Sequence, residues 1–207
     1  VDAAAGVITV DPEDTTLAET RALITTLSAE TAVPFQPGVL ADGTAVPLLA
    51  NLGSVSAVAE AIHRGAEGVG LFRTEFLFLN ATTAPSVAEQ REHYTRLLAA
   101  FPGRTVVVRA LDVGADKPLT FLNTSIEKNP ALGLRGLRAL RANEQILRDQ
   151  LTALAGADAS TDANLWVMAP MVATVEETRY FTRIAREAGL RTTGVMMEVP
   201  SAALLAD

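Results

Sequence analysis

From Val46 onward the chain is bound to a repeating plan, because short apolar, β-branched runs alternate with stretches of helical periodicity five times over. Val46 to Ala50, the run from Gly68 through Arg73, Thr105 to Asp112, Leu165 to Met171 and Thr193 to Pro200 read as strands. Helices are expected over about 54–65, 86–100, 133–142, 143–154 and 174–189, with another beginning at Ser201. Strict alternation of this kind specifies a parallel sheet with helices on its faces. Its strands, apolar almost throughout, are expected to be covered on both sides.

Three of the runs end on a charge. Gly68 to Asn80 (GVGLFRTEFLFLN) delivers Arg73, Thr105 to Asp112 (TVVVRALD) delivers Arg109, and Thr193 to Pro200 (TGVMMEVP) delivers Glu198. A guanidinium is badly placed in a core and well placed to meet an anion, because its planar fork of donors matches carboxylate and phosphate oxygens. Charges at corresponding strand ends are how a ligand site is built on one rim of a parallel sheet or barrel. The residues alone leave an alternative open. Arg73 also suits a rim ion pair with Glu75 or Glu67, and Arg109 one with Asp112.

Punctuation sets the remaining boundaries. Asp11-Pro12 has the form of an N-cap and first helical residue for a helix running to about Glu30. Pro34, Pro37, Gly38, Asp42 and Gly43 then mark a loop, so residues 1–35 and 36–207 are expected to form separate parts. Ser86 with Glu89, and Thr174 with Glu177, have the spacing of capping boxes, and Asn143 is placed to cap a helix. The apolar runs Phe76 to Leu79 and Met168 to Met171 read as core, and His63 and His93 as surface residues. The long loop from Val113 to Pro130 holds Asp116 and Lys117, read as a loop ion pair, and Asn51 closes the first strand of the plan.

The net charge of −7 excludes a nucleic-acid surface. Fifteen of the seventeen basic residues are arginine, so position and not residue type carries the argument for any one of them. With no cysteine there is no disulfide, thiol nucleophile or thiolate metal ligand, and no apolar run approaches a membrane span, so a cytoplasmic protein without a membrane partner is expected.

GLFRTEFLF at 70–78, VVVRALDVGADK at 106–117, NPALGLRGLR at 129–138 and MMEVPSAALLAD at 196–207 resemble, in order, the phosphoenolpyruvate-binding barrel of the enzyme I family, the phosphoenolpyruvate-protein phosphotransferases of bacterial sugar phosphotransferase systems. VDAAAGVITVDPEDTTLAETRAL at the N-terminus is similar to that family's exit from its phosphohistidine domain and the linker helix that follows. The resemblance implies a (β/α) barrel of TIM type, present through about five of its eight units. It further implies that Arg73, Arg109 and Arg135 bind phosphoenolpyruvate, and that Glu198 is the first of two carboxylate ligands for Mg²⁺. The implied activity is transfer of the phosphoryl group to the enzyme's own histidine and on to a small phosphocarrier protein. No acceptor-histidine loop and no proton-donor cysteine of the family's kind occurs in the sequence, so these 207 residues are expected to be catalytically silent alone. Homodimerisation, or self-association of a truncated barrel, is also implied. The alternatives are the sister barrel of pyruvate phosphate dikinase or phosphoenolpyruvate synthase, and a non-catalytic module that senses phosphoenolpyruvate or docks a partner.

Overall fold

A computed structural model describes residues 6–30, 36–79, 81–114, 119, 121–122, 128–129 and 133–206. The chain divides into two compact units, Val1–Gln36 and Pro37–Asp207. The first is carried by helix α1, Asp14–Glu30. It starts later than Asp11-Pro12 suggests, because Asp11 takes a positive φ of 49° that breaks the helical path before Pro12. Thr20, Thr25 and Thr26 donate to the carbonyls four residues back, so these hydroxyls are satisfied within the helix.

The second unit opens with an antiparallel hairpin, β1 (Gly38–Val39) and β2 (Ala45–Val46), where the sequence reads as loop and then strand. Its turn is made by the Asp42-Gly43 pair, in which Asp42 Oδ1 accepts from Thr44 N at 2.9 Å and Gly43 takes φ +85°. The expected first strand of the alternating plan then lies a few residues later, as β3, Leu49–Leu52.

Four further strands follow: β4 (Gly68–Arg73), β5 (Thr105–Arg109), β6 (Asn164–Ala169) and β7 (Thr193–Val195). They join β3 in one parallel sheet of order β3-β4-β5-β6-β7. Between them run α2 (Val58–His63), α3 (Glu75–Leu79), α4 (Val87–Ala99), α5 (Gly136–Ala142), α6 (Glu144–Asp158) and α7 (Val175–Glu187), and α8 (Pro200–Leu204) comes last. Sequential order with a helix in each connection is the arc of a TIM-type barrel, and the α/β class follows from it. Among the described residues no helix is long and apolar enough to cross a membrane.

The strands are not covered on both faces. Phe72, Val106, Val108, Leu165, Val167 and Ala169 belong to the core that α4, α6 and α7 complete. The alternate positions Leu71, Val107, Trp166 and Met168 are only partly buried or exposed, with Trp166 45% exposed. This is the division a curved sheet imposes: its convex face meets helices, and its concave face is packed in a barrel by side chains from other strands.

Both expected capping boxes form. Ser86 Oγ accepts from Glu89 N at 3.3 Å while Glu89 Oε2 accepts from Ser86 N at 2.8 Å, and Thr174 and Glu177 repeat the exchange at 3.2 and 3.1 Å. Asn143 does not cap α6 with its side chain. Its amide reaches back to donate to Ala139 O at 3.0 Å and closes α5 instead. The Phe76 to Leu79 run is the short helix α3, in which Phe78 is buried and Phe76 is 52% exposed, so only part of that run is core. His93, read as a surface residue, is only partly exposed. It is half-buried on α4 with its ring 6.0 Å from that of Phe72, and burial, with a smaller effect from Arg96, holds its pKa below the usual 6.5.

Inside the core, Gln150 joins three elements. Its Oε1 accepts from Leu111 N at 2.9 Å and its Nε2 donates to Tyr94 Oη at 3.0 Å, and all three residues are fully buried. Burial, partly offset by the Gln150 bond, raises the pKa of the Tyr94 phenol, which therefore stays protonated.

Two outcomes follow. Gln150→Leu leaves the Leu111 amide unsatisfied and the Tyr94 hydroxyl with only its long bond to Gln90 Oε1, and is expected to cost roughly 2–4 kcal/mol in urea denaturation. Because folding depresses the His93 pKa, the unfolded chain binds the proton more readily, so this residue's contribution weakens as pH falls through about 6.5. Denaturation midpoints between about pH 7.5 and 5.5 should therefore decline less for His93→Gln than for the wild type.

Candidate anion site at the strand ends

The carboxyl ends of β4 and β5 are set side by side by register, with Arg73 the Cα partner of Arg109, and Arg109 in turn the partner of Met168 on β6. Register partners on parallel strands project to the same face. Thr74 fastens this edge from inside, its buried hydroxyl donating to Arg109 O at 3.1 Å.

The two arginines differ in their surroundings. Arg73 is exposed, and among the described residues no carboxylate pairs with it; its guanidinium lies 5.7 Å from the centre of the Phe76 ring. Glu75, a candidate partner from spacing, opens α3 and turns away from Arg73 to the next strand, where it forms a buried ion pair and hydrogen bond with Arg109 Nη2. Glu67, the other candidate, accepts from Leu48 N at 2.6 Å instead.

Arg109 is buried, and two carboxylates hold it. Besides Glu75, Asp112 Oδ2 stands 3.5 Å from its Nη1, the pairing the sequence spacing left open. The same Nη1 donates to Met196 Sδ at 3.5 Å, which ties the rim of β5 to the segment that carries Glu198. Arg135 immediately precedes α5, and its Nη2 lies 3.4 and 3.3 Å from Asp112 Oδ1 and Oδ2. One buried carboxylate thus serves both guanidiniums.

The backbone that brings Arg135 here is constrained by Gly136, which has φ +56° and sits where an added Cβ would come within 2.6 Å of Met171 Cβ. Only glycine suits both the conformation and the approach. Met171, itself at φ +55°, gives its amide to Glu198 Oε1 at 2.7 Å. Glu198 lies beyond the end of β7 and is exposed, instead of closing a strand. Met196 N still donates to Ala169 O, and the ladder goes no further because Glu198 N folds back onto Met196 O.

Register and hydrogen bonding therefore gather Arg73, Arg109, Arg135 and Glu198 at one rim. Arg109 Nε and Glu75 Oε2 are buried there without a hydrogen-bond partner among the described residues. Such orphans are uncommon in a native core and mark a place where another polar group is accommodated. Asn51, at the rim end of β3, makes no side-chain hydrogen bond among the described residues, and Asp116 and Lys117 lie outside them. A groove of about 320 Å³ lined by Val172, Val175, Val195, Met197 and Leu205 borders the Glu198 segment. Its walls are mostly apolar, with Thr174 and Thr178 as the polar side chains and no charged one.

Asp112 as the bridge to Arg135, Met196 as a sulfur acceptor and Gln150 beneath Leu111 were not legible as site residues. Asp112 and Arg135 are 23 positions apart, and no local pattern links them. Glu75 was visible as a rim carboxylate, but nothing in its spacing says that α3 begins there and turns it towards the neighbouring strand.

A family model described as "PEP-utilising enzyme, PEP-binding domain" matches residues 28–207. Over its whole length the chain is 50% identical to a phosphoenolpyruvate-protein phosphotransferase of Streptomyces coelicolor and 40% identical to one of Haloferax volcanii, spanning 37% and 38% of those proteins. It is 42% identical to a phosphoenolpyruvate-protein phosphotransferase of Listeria monocytogenes across 80% of this chain and 31% of that protein. The chain therefore spans well under half the length of the relatives it matches.

The two strand-end arginines are expected to respond differently to substitution. Arg109→Leu strands Glu75 as a buried charge and leaves Asp112 with Arg135, and should lower stability by about 3–5 kcal/mol. Arg73→Ala should stay within about 0.5 kcal/mol of the wild type. Urea denaturation of both variants measures the contrast.

Proposed function

Since this chain belongs to the family of PEP-binding domains of PEP-utilising enzymes, we propose that its rim arginines bind phosphoenolpyruvate. The observation that carries this reading is the pairing of Arg73 with Arg109 at adjacent strand ends, one guanidinium without a carboxylate partner among the described residues and the other buried and held. Arg73 meets the incoming anion first, Arg109 supplies a fixed donor fork, and Arg135 a further one. Positioning and charge stabilisation are most of what phosphoryl transfer asks of a protein, and arginines of this kind provide both.

Mg²⁺ is the metal this reading calls for. No group of three or more histidine or carboxylate side chains that could hold a metal occurs among the described residues. Mg²⁺ does not need one, since it keeps several waters and takes one or two carboxylates beside substrate phosphate. Glu198 fits that demand, because one oxygen holds the Met171 amide and the other has no hydrogen bond among the described residues. When bound, the ion would neutralise charge on the phosphate and on the enolate left behind.

The whole protein, on this reading, is a cytoplasmic phosphoenolpyruvate-protein phosphotransferase of enzyme I type. A histidine of the enzyme attacks phosphorus, the bond from phosphorus to the enol oxygen breaks, and the enolate takes a proton to become pyruvate. The phosphoryl group then passes to a small phosphocarrier protein. Residues 1–35 represent the end of the phosphohistidine domain and its linker helix. The exposed Leu48, just before β3, and Leu49, its first residue, favour self-association of the barrel unit.

Neither histidine of this chain can act as acceptor in that scheme. His63 ends α2, which leads into the opposite end of β4, and His93 packs against Phe72. Calorimetric titration of the chain with phosphoenolpyruvate and Mg²⁺ should show saturable binding that Arg73→Gln weakens about tenfold or more, the loss of at least one charge-assisted hydrogen bond. Labelled phosphoenolpyruvate should leave no phosphoryl group on the chain. Equal affinity in Arg73→Gln would remove the reading.

A further inference from the structure

Resting on the phosphoenolpyruvate reading above, we propose that Phe76 is a positioning residue for that anion, its ring holding the Arg73 guanidinium at the rim without neutralising it. Arg73 is exposed and, among the described residues, no carboxylate pairs with it, yet its guanidinium lies 5.7 Å from the centre of the Phe76 ring. That is within the distance at which a ring face attracts a cation. Phe76 is 52% exposed, so burial does not account for a phenylalanine at this position. On the same short helix Phe78 is fully buried and supplies the anchor to the core.

The ring has a seat of its own. Leu52 on β3 is the Cα partner of Phe72 on β4, so Gly53, the next residue, stands beside the strand end that carries Arg73. A Cβ added at Gly53 would come within 2.6 Å of Phe76 Cε2 and 2.8 Å of its Cδ2. Gly53 takes no positive φ, so the space the ring occupies, and not the backbone conformation, calls for glycine here. The turn that sets Phe76 over Gly53 is fixed by Thr74, whose carbonyl accepts from Leu77 N at 3.1 Å and whose hydroxyl donates to Arg109 O.

The two strand-end arginines are thus held in different ways. Glu75 and Asp112 hold Arg109 and cancel its charge. A carboxylate beside Arg73 would also fix that side chain, but it would compete with the arriving anion. A ring offers no lone pair and no charge, so it restricts the guanidinium while leaving its charge and donors to the ligand. Less rotamer freedom is then lost on binding.

The test is a double-mutant cycle read by calorimetric titration with phosphoenolpyruvate and Mg²⁺. Phe76→Leu keeps an apolar side chain and removes the ring, and it should weaken binding about two- to fivefold, the span of an exposed cation–π contact. Phe76→Tyr, which keeps the ring, should bind as the wild type does. In the Arg73→Gln background Phe76→Leu should change nothing further. Unchanged affinity in Phe76→Leu overturns the proposal, as does a Phe76→Tyr variant equally weakened. The same loss with and without Arg73 also overturns it, because Phe76 would then act independently of the guanidinium. Should Phe76→Leu fail to fold by circular dichroism, Gly53→Ala displaces the ring from its seat while both Phe76 and Arg73 remain in the chain. It should weaken binding in the wild-type background and not in Arg73→Gln, and no effect, or an equal effect in both, overturns the assignment. A wild-type chain that binds no phosphoenolpyruvate defeats the functional reading itself, a failure distinct from wild-type binding that loss of the ring leaves unaltered.

Discussion

The structure at the rim depends on a buried cluster of alternating charge, Glu75, Arg109, Asp112 and Arg135. Taking four charges out of water is costly, and apolar residues of similar volume often serve stability as well or better. Such a cluster is therefore weak evidence of stabilisation and better evidence of a site. Its charges balance, so the buried part of the rim is neutral when empty. Arg73, outside it, supplies the exposed positive charge that an arriving anion meets.

The core beneath is arranged to keep that cluster still. Gln150 and Tyr94 are buried polar groups in a layer of leucine and phenylalanine, and they satisfy one another and the Leu111 amide beside Asp112. Thr74 does the same for the carbonyl of Arg109. Gly136 lets the start of α5 approach the β6 loop closely enough for Arg135 to reach Asp112. Each device fixes a backbone point within a residue or two of a charge. Donors fixed in this way lose less to reorganisation when they meet a ligand.

Much of the fold was legible because its signals are local. A β-branched run marks β5 and an apolar run β6, Ser86 with Glu89 and Thr174 with Glu177 mark helix starts, and arginines at strand ends mark the rim. What escaped was non-local or ambiguous in period. Four apolar residues after Glu75 fit a strand as well as the single turn of α3, and Asn143 has the chemistry of either helix end. The covering of one sheet face and not both follows from curvature, which no single strand reports. Of the site, the residues that face a ligand could be read, whereas Asp112 as the bridge to Arg135 could not, because their contact exists only once α5 is packed against the β6 loop.

The most direct measurement is a crystal structure of the chain with phosphoenolpyruvate and Mg²⁺. The account predicts the anion against Arg73 and Arg109 at the β4 and β5 strand ends, with Asp112 still between Arg109 and Arg135. Phosphoenolpyruvate lodged between those two guanidiniums with Asp112 displaced, or bound away from the β4 and β5 strand ends, would contradict it.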